Sequence, residues 1–370
     1  MRPSRLVFCL AIFTTIAAAQ TPAPADKYAA GRAVIADIEK IVTPNGIQET
    51  FETTLGGARQ VVNVRGADKA NPLLVFVHGG PGAVEMPIAW SFQRPWEDYF
   101  TVVQYDQRGA GRSYPLNDAA QIAGSMSIER YRDDAIELIE QLRSKYGQRK
   151  VVLLGHSWGS LVGLSVAARR PDLLFAYVGM GQIIDVREDE RRGMAWTLEQ
   201  ARAHGNAAAV REIEALRPYP DSGPFTIDAA DGWRKWAIPY GSLAAYRANA
   251  DFYLRAPRLS PEYEPADIEA WDKGSALSVT TLWPRIADVS FLPLRKLDIP
   301  VVMLIGRHDH TTDAALAAEW MARLQAPKKA TVWFEHSAHL PMIEEPGRTF
   351  AALLEHVLPL TADRPGKPGN

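Results

Sequence analysis

The chain has 370 residues, of which 47% are hydrophobic and 23% are charged, and 41 basic residues nearly balance 43 acidic ones to give a formal net charge of -2. This composition is typical of a globular protein with a large apolar core. The balance of charge provides no basic field that would favour nucleic acid or an anionic membrane as a partner.

The N-terminal residues have the pattern of an export signal. A short basic stretch, residues 1–5, precedes an apolar run over residues 6–18, and small alanines stand before Gln20 at the positions that signal peptidase reads. The apolar run is shorter than the ~20 residues that a membrane-spanning helix needs. We therefore expect residues 1–19 to be cleaved, and the protein to be periplasmic or secreted without stable membrane association.

An uncleaved membrane anchor and a lipid anchor at Cys9 are the alternatives to cleavage. The lipid anchor is disfavoured because the bulky Phe8 precedes the cysteine and the apolar run continues past it. Cys9 is the only cysteine of the chain. Its removal with the signal would exclude disulfides and a thiol nucleophile from the mature protein.

Beyond residue 19, predicted strands and helices alternate. Residues 20–46 are expected to form a lead-in, flexible over 21–33, and two alternating segments, 47–55 and 60–65, predict an antiparallel hairpin at a sheet edge. Continuous apolar runs, typical of strands buried on both faces, cover residues 73–77, 101–105, 151–154, 175–178, 301–305 and 331–334. Helical patterns lie at residues 128–146, 161–169, 313–324 and 348–356. This order predicts an α/β fold with a mostly parallel central sheet flanked by helices.

The alternation breaks over residues 182–290, which contain helical patterns at 188–204 and 207–216 together with five tryptophans and eight prolines. We interpret this interval as a helical lid inserted between a first core segment, residues 47–181, and a second, residues 291–360, with residues 361–370 as a tail. The lid tryptophans could form a substrate wall, but for any one of them a place in the lid's own core is favoured.

The segment 151–160 carries the strongest chemical pattern. A predicted strand runs into Gly155-His156-Ser157-Trp158-Gly159, and a predicted helix follows. This Gly-x-Ser-x-Gly arrangement is that of a nucleophile elbow, in which a sharp turn exposes the serine hydroxyl above the sheet. The alternative is a glycine-rich turn that only reverses the chain. The strand before it and the helix after it favour Ser157 as a nucleophile.

Two loops after later strands offer partners for Ser157. A serine nucleophile needs an imidazole base and a carboxylate that orients the imidazole. Asp309 and His339 follow Ser157 in the chain order that this architecture uses. The competing side chains are His308, His310, His336 and Asp313. A metal site at His308-x-His310 is disfavoured because no third ligand accompanies it at suitable spacing, and no cofactor is implied.

Backbone donors for an oxyanion are predicted in the loop His78-Gly79-Gly80-Pro81-Gly82. Gly79 or Gly80 would donate together with the backbone N–H of Trp158, and the sequence does not decide between the two glycines. His78 is expected to be a structural hydrogen-bonding residue.

The next loop contains Asp106 and Arg108. It lacks the Gly-Lys-Ser/Thr of a phosphate-binding loop. We interpret the two residues as a pair that fixes the loop, by an ion pair or hydrogen bonds, with substrate contact as the alternative.

Together these blocks resemble the α/β-hydrolase superfamily and, within it, the proline iminopeptidase group of serine peptidases. The resemblance rests on His78-Gly-Gly-Pro-Gly82, Asp106-Gln-Arg-Gly-Ala-Gly-Arg-Ser113, Gly155-His-Ser-Trp-Gly-Ser160, Gly306-Arg-His-Asp309 and His336-Ser-Ala-His339. It implies the α/β-hydrolase fold, with Ser157 as nucleophile, His339 as base, Asp309 as its orienting acid and a lid that selects the substrate.

The lid departs from that group. Proline iminopeptidases hold the substrate's free amine with lid glutamates, one of them in a Trp-Glu-Gly context, which residues 182–290 lack; Trp233-Arg234-Lys235-Trp236 is basic instead. The lid carboxylates weighed for an amine site are Glu188, Asp189, Glu190, Glu199, Glu212 and Glu214.

The expected function is therefore that of a serine hydrolase that forms an acyl-enzyme, as an aminopeptidase releasing an N-terminal, proline-type residue from short peptides. An esterase, lactonase or amidase with the same triad is the alternative, with a small-molecule substrate. Epoxide hydrolases and haloalkane dehalogenases of this fold carry a carboxylate at the elbow, so Ser157 argues against both. A non-catalytic, hydrolase-like binding protein is disfavoured because all three triad residue types are present.

Overall fold

The computed structural model describes residues 26–362. The export signal predicted for residues 1–19 lies outside them and stays a prediction, as does most of the predicted tail. No helix within the described residues combines the length and the hydropathy that crossing a bilayer requires.

An eight-stranded sheet forms the centre of the fold, in the order β1-β2-β4-β3-β5-β6-β7-β8. The strands are β1 (Ile47–Leu55), β2 (Ala58–Gly66), β3 (Leu73–Val77), β4 (Thr101–Asp106), β5 (Val151–His156), β6 (Leu174–Met180), β7 (Val301–Gly306) and β8 (Lys329–Phe334). Strands β3 to β8 pair in parallel, while β1 and β2 form the antiparallel hairpin predicted at one edge. The predicted α/β fold is confirmed.

The apolar runs of the sequence correspond to strands that are buried in the sheet. Every residue of β3, β4, β5, β6 and β7 is buried, because helices cover both faces of the sheet. Strand β1 is buried only at Leu55, and its other side chains alternate between exposed and half-buried as expected at an edge. The carboxyl ends of the parallel strands consequently open at one edge of the sheet, where ligands bind in such folds.

The helices that pack on the sheet are α2 (Ala119–Ser125), α3 (Ile128–Tyr146), α4 (Trp158–Arg169), α10 (Ala314–Arg323), α11 (Pro341–Glu344) and α12 (Pro346–Ala352), the last continued by a π-helical turn over Leu353–Val357. Four of them, α3, α4, α10 and α12, lie close to predicted positions, whereas α2 and α11 were not predicted. Helix α3 has the predicted bounds because Ser127 caps its first turn and Gly147, at φ 65°, ends it in the left-handed region.

The lid follows β6 and precedes β7. Its helices are α5 (Val186–Ala203), α6 (Ala207–Glu214), α7 (Ile227–Ala237), α8 (Asp251–Arg255) and α9 (Pro265–Ile286). Trp233 is fully buried and donates its indole N–H to the Glu190 carboxylate at 2.8 Å. This tryptophan thus serves the lid's own core, the interpretation that the sequence favoured for any one lid tryptophan.

The expectation of a flexible lead-in over residues 21–33 is wrong for its described part. Residues 29–38 form helix α1 (Ala29–Ile38). The helix is alanine-rich, which favours helical structure, and it packs on the lid: a Cβ at Gly31 would lie 2.9 Å from Leu259, and Arg32 donates to the carbonyl of Arg258. Tertiary contact with the lid therefore orders a segment that composition alone predicts to be loose.

Candidate active site

Ser157 occupies the sharp turn between β5 and α4. Its φ of 52° and ψ of -122° lie in a region that non-glycine residues rarely adopt. The flanking glycines permit this turn: a Cβ at Gly159 would lie 2.0 Å from the carbonyl oxygen of Val77, and one at Gly155 would lie 2.5 Å from the carbonyl oxygen of Gly159. The structure therefore has the strand, strained turn and helix that the elbow pattern predicts.

Asp309 and His339 form a buried hydrogen-bonded pair. The Nδ1–H of His339 donates to Oδ2 of Asp309 at 2.9 Å. Asp309 also accepts the backbone N–H groups of Thr311 and Thr312, at 3.0 and 2.9 Å, and the hydroxyl of Thr312 at 2.9 Å. These donors fix the carboxylate, which in turn sets the imidazole tautomer, so that the proton-accepting nitrogen of His339 is Nε2.

His156 joins the elbow to the loop that carries His339. Its Nε2 donates to the carbonyl oxygen of His339 at 3.0 Å, and the centroids of the two rings are 4.9 Å apart. The backbone N–H of Ser157 donates to the carbonyl of Met180 at 3.0 Å. A Cβ at Gly181, the next residue, would lie 2.7 Å from Cε1 of His339. The ends of β5 and β6 therefore place the elbow and the His339 ring at the same part of the sheet edge.

The glycine loop after β3 lies against the elbow. A Cβ at Gly79 would lie 3.1 Å from Cβ of Ser157, and the backbone N–H of Gly79 donates to Oε2 of Glu85 at 2.9 Å. Nε2 of His78 accepts the backbone N–H of Gln107 at 3.0 Å, and burial lowers the pKa of His78. His78 thus has the hydrogen-bonding position that the sequence predicts for it.

Asp106 and Arg108 do not pair with each other, which corrects the interpretation of a joint loop-fixing pair. Arg108 donates to Asp134 at 2.9 Å and to two carbonyls of the β1–β2 turn. Asp106 accepts the backbone N–H of Arg112 at 2.7 Å and the hydroxyl of Tyr263, and burial raises its pKa to about 7. Each residue fixes its loop through partners that are distant in the sequence.

The competing candidates lie apart from the Asp309–His339 pair. His310 stacks on Trp196 of the lid with ring centroids 3.9 Å apart, and Asp313 caps α10 by accepting the backbone N–H of Leu316. His308 faces the hydroxyl of Tyr246 at 3.0 Å. His336 is exposed. Over residues 26–362 no three His, Cys, Asp or Glu side chains are grouped to hold a metal ion.

Sequence reasoning missed two carboxylates that hold these loops. Oε2 of Glu344 accepts the backbone N–H groups of Ala338 and Leu340, at 2.9 and 3.1 Å, on either side of His339, and its Oε1 accepts that of Ala245 in the lid. Burial raises the pKa of Glu344 to about 6. Glu85 is the second. The sequence offers only their positions as a signal: Glu344 is five residues after His339, and Glu85 is three residues after the glycine loop.

Five of the six lid carboxylates weighed for an amine site already have partners within the protein. Glu190 accepts from Tyr219, Trp233 and Arg234, and Asp189 accepts the backbone N–H of Asp313 at 2.7 Å. The remaining pairs are Glu188 with Arg191 and Arg192, Glu212 with Lys235, and Glu214 with Arg202. Glu199 is exposed.

Comparison with known proteins agrees with this architecture. A family model described as the alpha/beta hydrolase fold matches residues 72–217. The probable aminopeptidase YbaC of Bacillus subtilis (strain 168) is 28% identical over 308 residues, which cover 82% of this chain and 95% of that protein. A proline iminopeptidase of Neisseria gonorrhoeae is 31% identical over 129 residues, 34% of this chain and 38% of that protein.

Among solved structures, the proline iminopeptidase of Mycobacterium smegmatis superposes with a TM-score of 0.61 at 19% identity, over 85% of this chain and 99% of that one. A likeness at this identity supports the fold. The family model and the two relatives confirm the resemblance that the sequence blocks predict. The chain thus has the α/β-hydrolase fold and is similar to the proline iminopeptidases.

Proposed function

We propose that the protein is a serine hydrolase that works through an acyl-enzyme, and that its substrates are short peptides from which it releases an N-terminal, proline-type residue. The observation that carries the proposal is the buried Asp309–His339 hydrogen bond, which leaves Nε2 of His339 to act as the base for the serine at the strained elbow. A hydroxyl, an imidazole and a carboxylate in this order are the parts that acyl transfer needs.

In the proposed reaction, Oγ of Ser157 bonds to the scissile carbonyl carbon while its proton passes to Nε2 of His339. The negative charge of the carboxylate of Asp309 stabilises the imidazolium that forms. When the carbon–nitrogen bond breaks, His339 returns the proton to the leaving amine, and the acyl group remains on Ser157. Water then attacks the acyl carbon with His339 again as base, which frees the product and restores the serine.

The oxyanion of each tetrahedral intermediate would accept backbone N–H groups of Trp158 and Gly80. Trp158 is the first residue of α4, where helix N–H groups lack intrahelical acceptors and the helix dipole favours negative charge. Of the two glycines left open by the sequence, Gly80 is favoured because the N–H of Gly79 already donates to Glu85. Such donors act on charge that develops in the transition state.

The peptide substrate is supported by likeness: the relative aligned over 95% of its length bears the name of a probable aminopeptidase. One observation favours a second candidate, an esterase, lactonase or amidase whose substrate has no free amine. The carboxylates of Glu188, Asp189, Glu190, Glu212 and Glu214 are engaged within the protein, so an amine that binds at any of these five would have to displace its present partner.

Two measurements on the purified protein test the proposal. A fluorophosphonate should label wild-type protein at Ser157 and leave Ser157→Ala unlabelled. A proline arylamide should be cleaved with a higher kcat/KM than a short-chain aryl ester. The reverse order of the two substrates would favour the second candidate, and absence of both labelling and hydrolysis would favour a binding protein without catalysis.

A further inference from the structure

A second imidazole–carboxylate pair lies behind the elbow. Nδ1 of His156 is 2.7 Å from Oε1 of Glu85, and Nε2 of His156 is 3.0 Å from the carbonyl oxygen of His339. Both side chains are buried, with 2% of His156 and none of Glu85 exposed. Neither residue takes a chemical step in the reaction proposed above.

The partners of His156 define its protonation state. A carbonyl oxygen and an ionised carboxylate only accept hydrogen bonds, so with Glu85 ionised both ring nitrogens of His156 carry protons. The ring is then an imidazolium paired with the Glu85 carboxylate, an arrangement that makes burial of both charges tolerable. In agreement, the pKa of His156 is raised: burial acts to lower it, and the charge and hydrogen bond of Glu85 outweigh that effect.

Glu85 connects three parts of the site. Besides His156, its carboxylate accepts the backbone N–H of Gly79 at 2.9 Å, next to the Gly80 donor proposed for the oxyanion. The hydroxyl of Tyr253, in lid helix α8, faces the same carboxylate, and burial together with the charge of Glu85 raises the pKa of Tyr253. One side chain thus contacts the glycine loop, the residue before the nucleophile, and the lid.

We propose that Glu85 and His156 are positioning residues for the reaction, and that their pair holds the glycine loop and the backbone of His339 at fixed positions relative to Ser157. This inference rests on the proposed function. His156 is covalently adjacent to Ser157 and bonds to the carbonyl of His339, so a shift of this ring moves the nucleophile relative to its base. A displacement of about 1 Å between reacting groups costs on the order of 10²-fold in rate.

Substitutions at Glu85 distinguish a role in positioning the reacting groups from a role only in the stability of the fold. Glu85→Ala removes the acceptor of Gly79 and of His156, and we expect kcat to fall about 10²-fold while KM changes less than about threefold, because the loss acts on the geometry of the transition state. In Glu85→Gln the amide oxygen still accepts from Gly79, and the amide nitrogen donates to a neutral His156. This variant should recover kcat to within about tenfold of wild type.

Glu97→Ala is the matched control. Glu97 is an equally buried carboxylate in the same connection between β3 and β4, but it bonds to Arg65 and Gln93. Its loss should lower the melting temperature and leave kcat within about threefold of wild type. Equal losses of kcat in Glu97→Ala and Glu85→Ala would overturn the proposal, as would a raised KM with unchanged kcat in Glu85→Ala.

Nuclear magnetic resonance of the histidine rings gives a readout that does not depend on turnover. Wild type at pH 8 should give two exchange-protected ring N–H signals from His156, absent in His156→Gln, and Glu85→Gln should keep only one of them. A single signal in wild type overturns the ion pair and hence the proposal. If both signals are present but fluorophosphonate labelling and hydrolysis are absent, the ion pair stands while the proposed function fails and takes the positioning role with it.

Discussion

The carboxyl edge of the sheet and the lid both bury charged side chains, but they use them differently. At the edge, the carboxylate of Asp309 holds His339 and leaves Nε2 of that ring as the proton acceptor. In the lid, Glu190 is surrounded by the donors of Tyr219, Trp233 and Arg234. Asp309 is as fully engaged as Glu190, since it accepts from Thr311, Thr312 and His339, but one of its donors is an imidazole whose second nitrogen can accept a proton. The carboxylate at the edge therefore orients an imidazole, whereas the carboxylate in the lid joins structural side chains.

The cause of this difference is topological. The carboxyl ends of parallel strands lie at one edge of the sheet, so residues distant in sequence meet there. His156 at the end of β5 and His339 after β8 are an example, with ring centroids 4.9 Å apart. The lid has no such convergence. Its helices must pack on one another and on the sheet edge, and their polar residues are largely used for that packing.

The largest effect should come from Ser157, the proposed nucleophile at the edge. Ser157→Ala is expected to lower kcat by about 10⁴-fold or more, because the remaining donors and binding groups supply only the residual rate. Turnover of the proline arylamide and fluorophosphonate labelling measure the loss, and an unchanged melting temperature excludes unfolding. Near-normal turnover in this variant would contradict the assignment of Ser157.

Asp309→Asn should be nearly as severe, with kcat reduced on the order of 10³- to 10⁴-fold. An amide that donates to Nδ1 of His339 places the ring proton on Nε2, the nitrogen that has to accept a proton from serine. Asp313→Asn is the matched control at the competing carboxylate, and it should retain kcat. If the two variants lose activity equally, the choice of Asp309 over Asp313 is wrong.

A substitution in the lid should have the opposite effect to one at the edge: the free energy of unfolding should fall while kcat changes little. Glu190→Ala leaves the guanidinium of Arg234 without its partner in a largely buried site, which should cost about 3 kcal/mol of unfolding free energy. Urea unfolding measures it, and kcat of the folded fraction should stay close to wild type. Glu212→Ala, an exposed lid carboxylate paired with Lys235, should be almost silent.

If Glu190→Ala abolishes turnover and leaves stability unchanged, Glu190 acts on the substrate. The conclusion that the reaction takes place at the sheet edge while the lid carboxylates only stabilise the lid would then be wrong.

The smallest expected effect is a pH dependence at Glu344, where the lid meets the edge. Its pKa is raised from an ordinary 4.5 to about 6, so between these values the folded protein retains a proton that the unfolded chain has lost. Wild-type stability from this group therefore falls as pH rises from about 4.5 to 6 and stays level above. Glu344→Gln removes that slope, which urea unfolding at several pH values would detect; parallel stability curves for the two proteins would contradict it.

The sequence by itself determined the sheet, the hairpin and the insertion. Continuous apolar runs predicted the five parallel strands β3 to β7, which are buried throughout because both faces of the sheet are covered. A further run, residues 331–334, predicted the more exposed edge strand β8. The Gly-x-Ser-x-Gly pattern predicted the strained turn that the structure has at Ser157, and chain order nominated Asp309 and His339, which the structure shows hydrogen-bonded to each other. The catalytic roles of the three residues stay predictions. These features depend on local periodicity or on contacts that one turn imposes, so they can be read without knowing the rest of the fold.

Only the tertiary structure decided the partners of buried polar groups. Arg108 pairs with Asp134 instead of Asp106, helix α1 is ordered by the lid, and Glu85 and Glu344 hold the loops of the site. A buried polar side chain must find a partner, but the nearest one in space is often distant in sequence. The sequence alone could nominate candidate reactive residues because acyl transfer needs only a few residue types, whereas the residues that position them were set by the packing of distant segments.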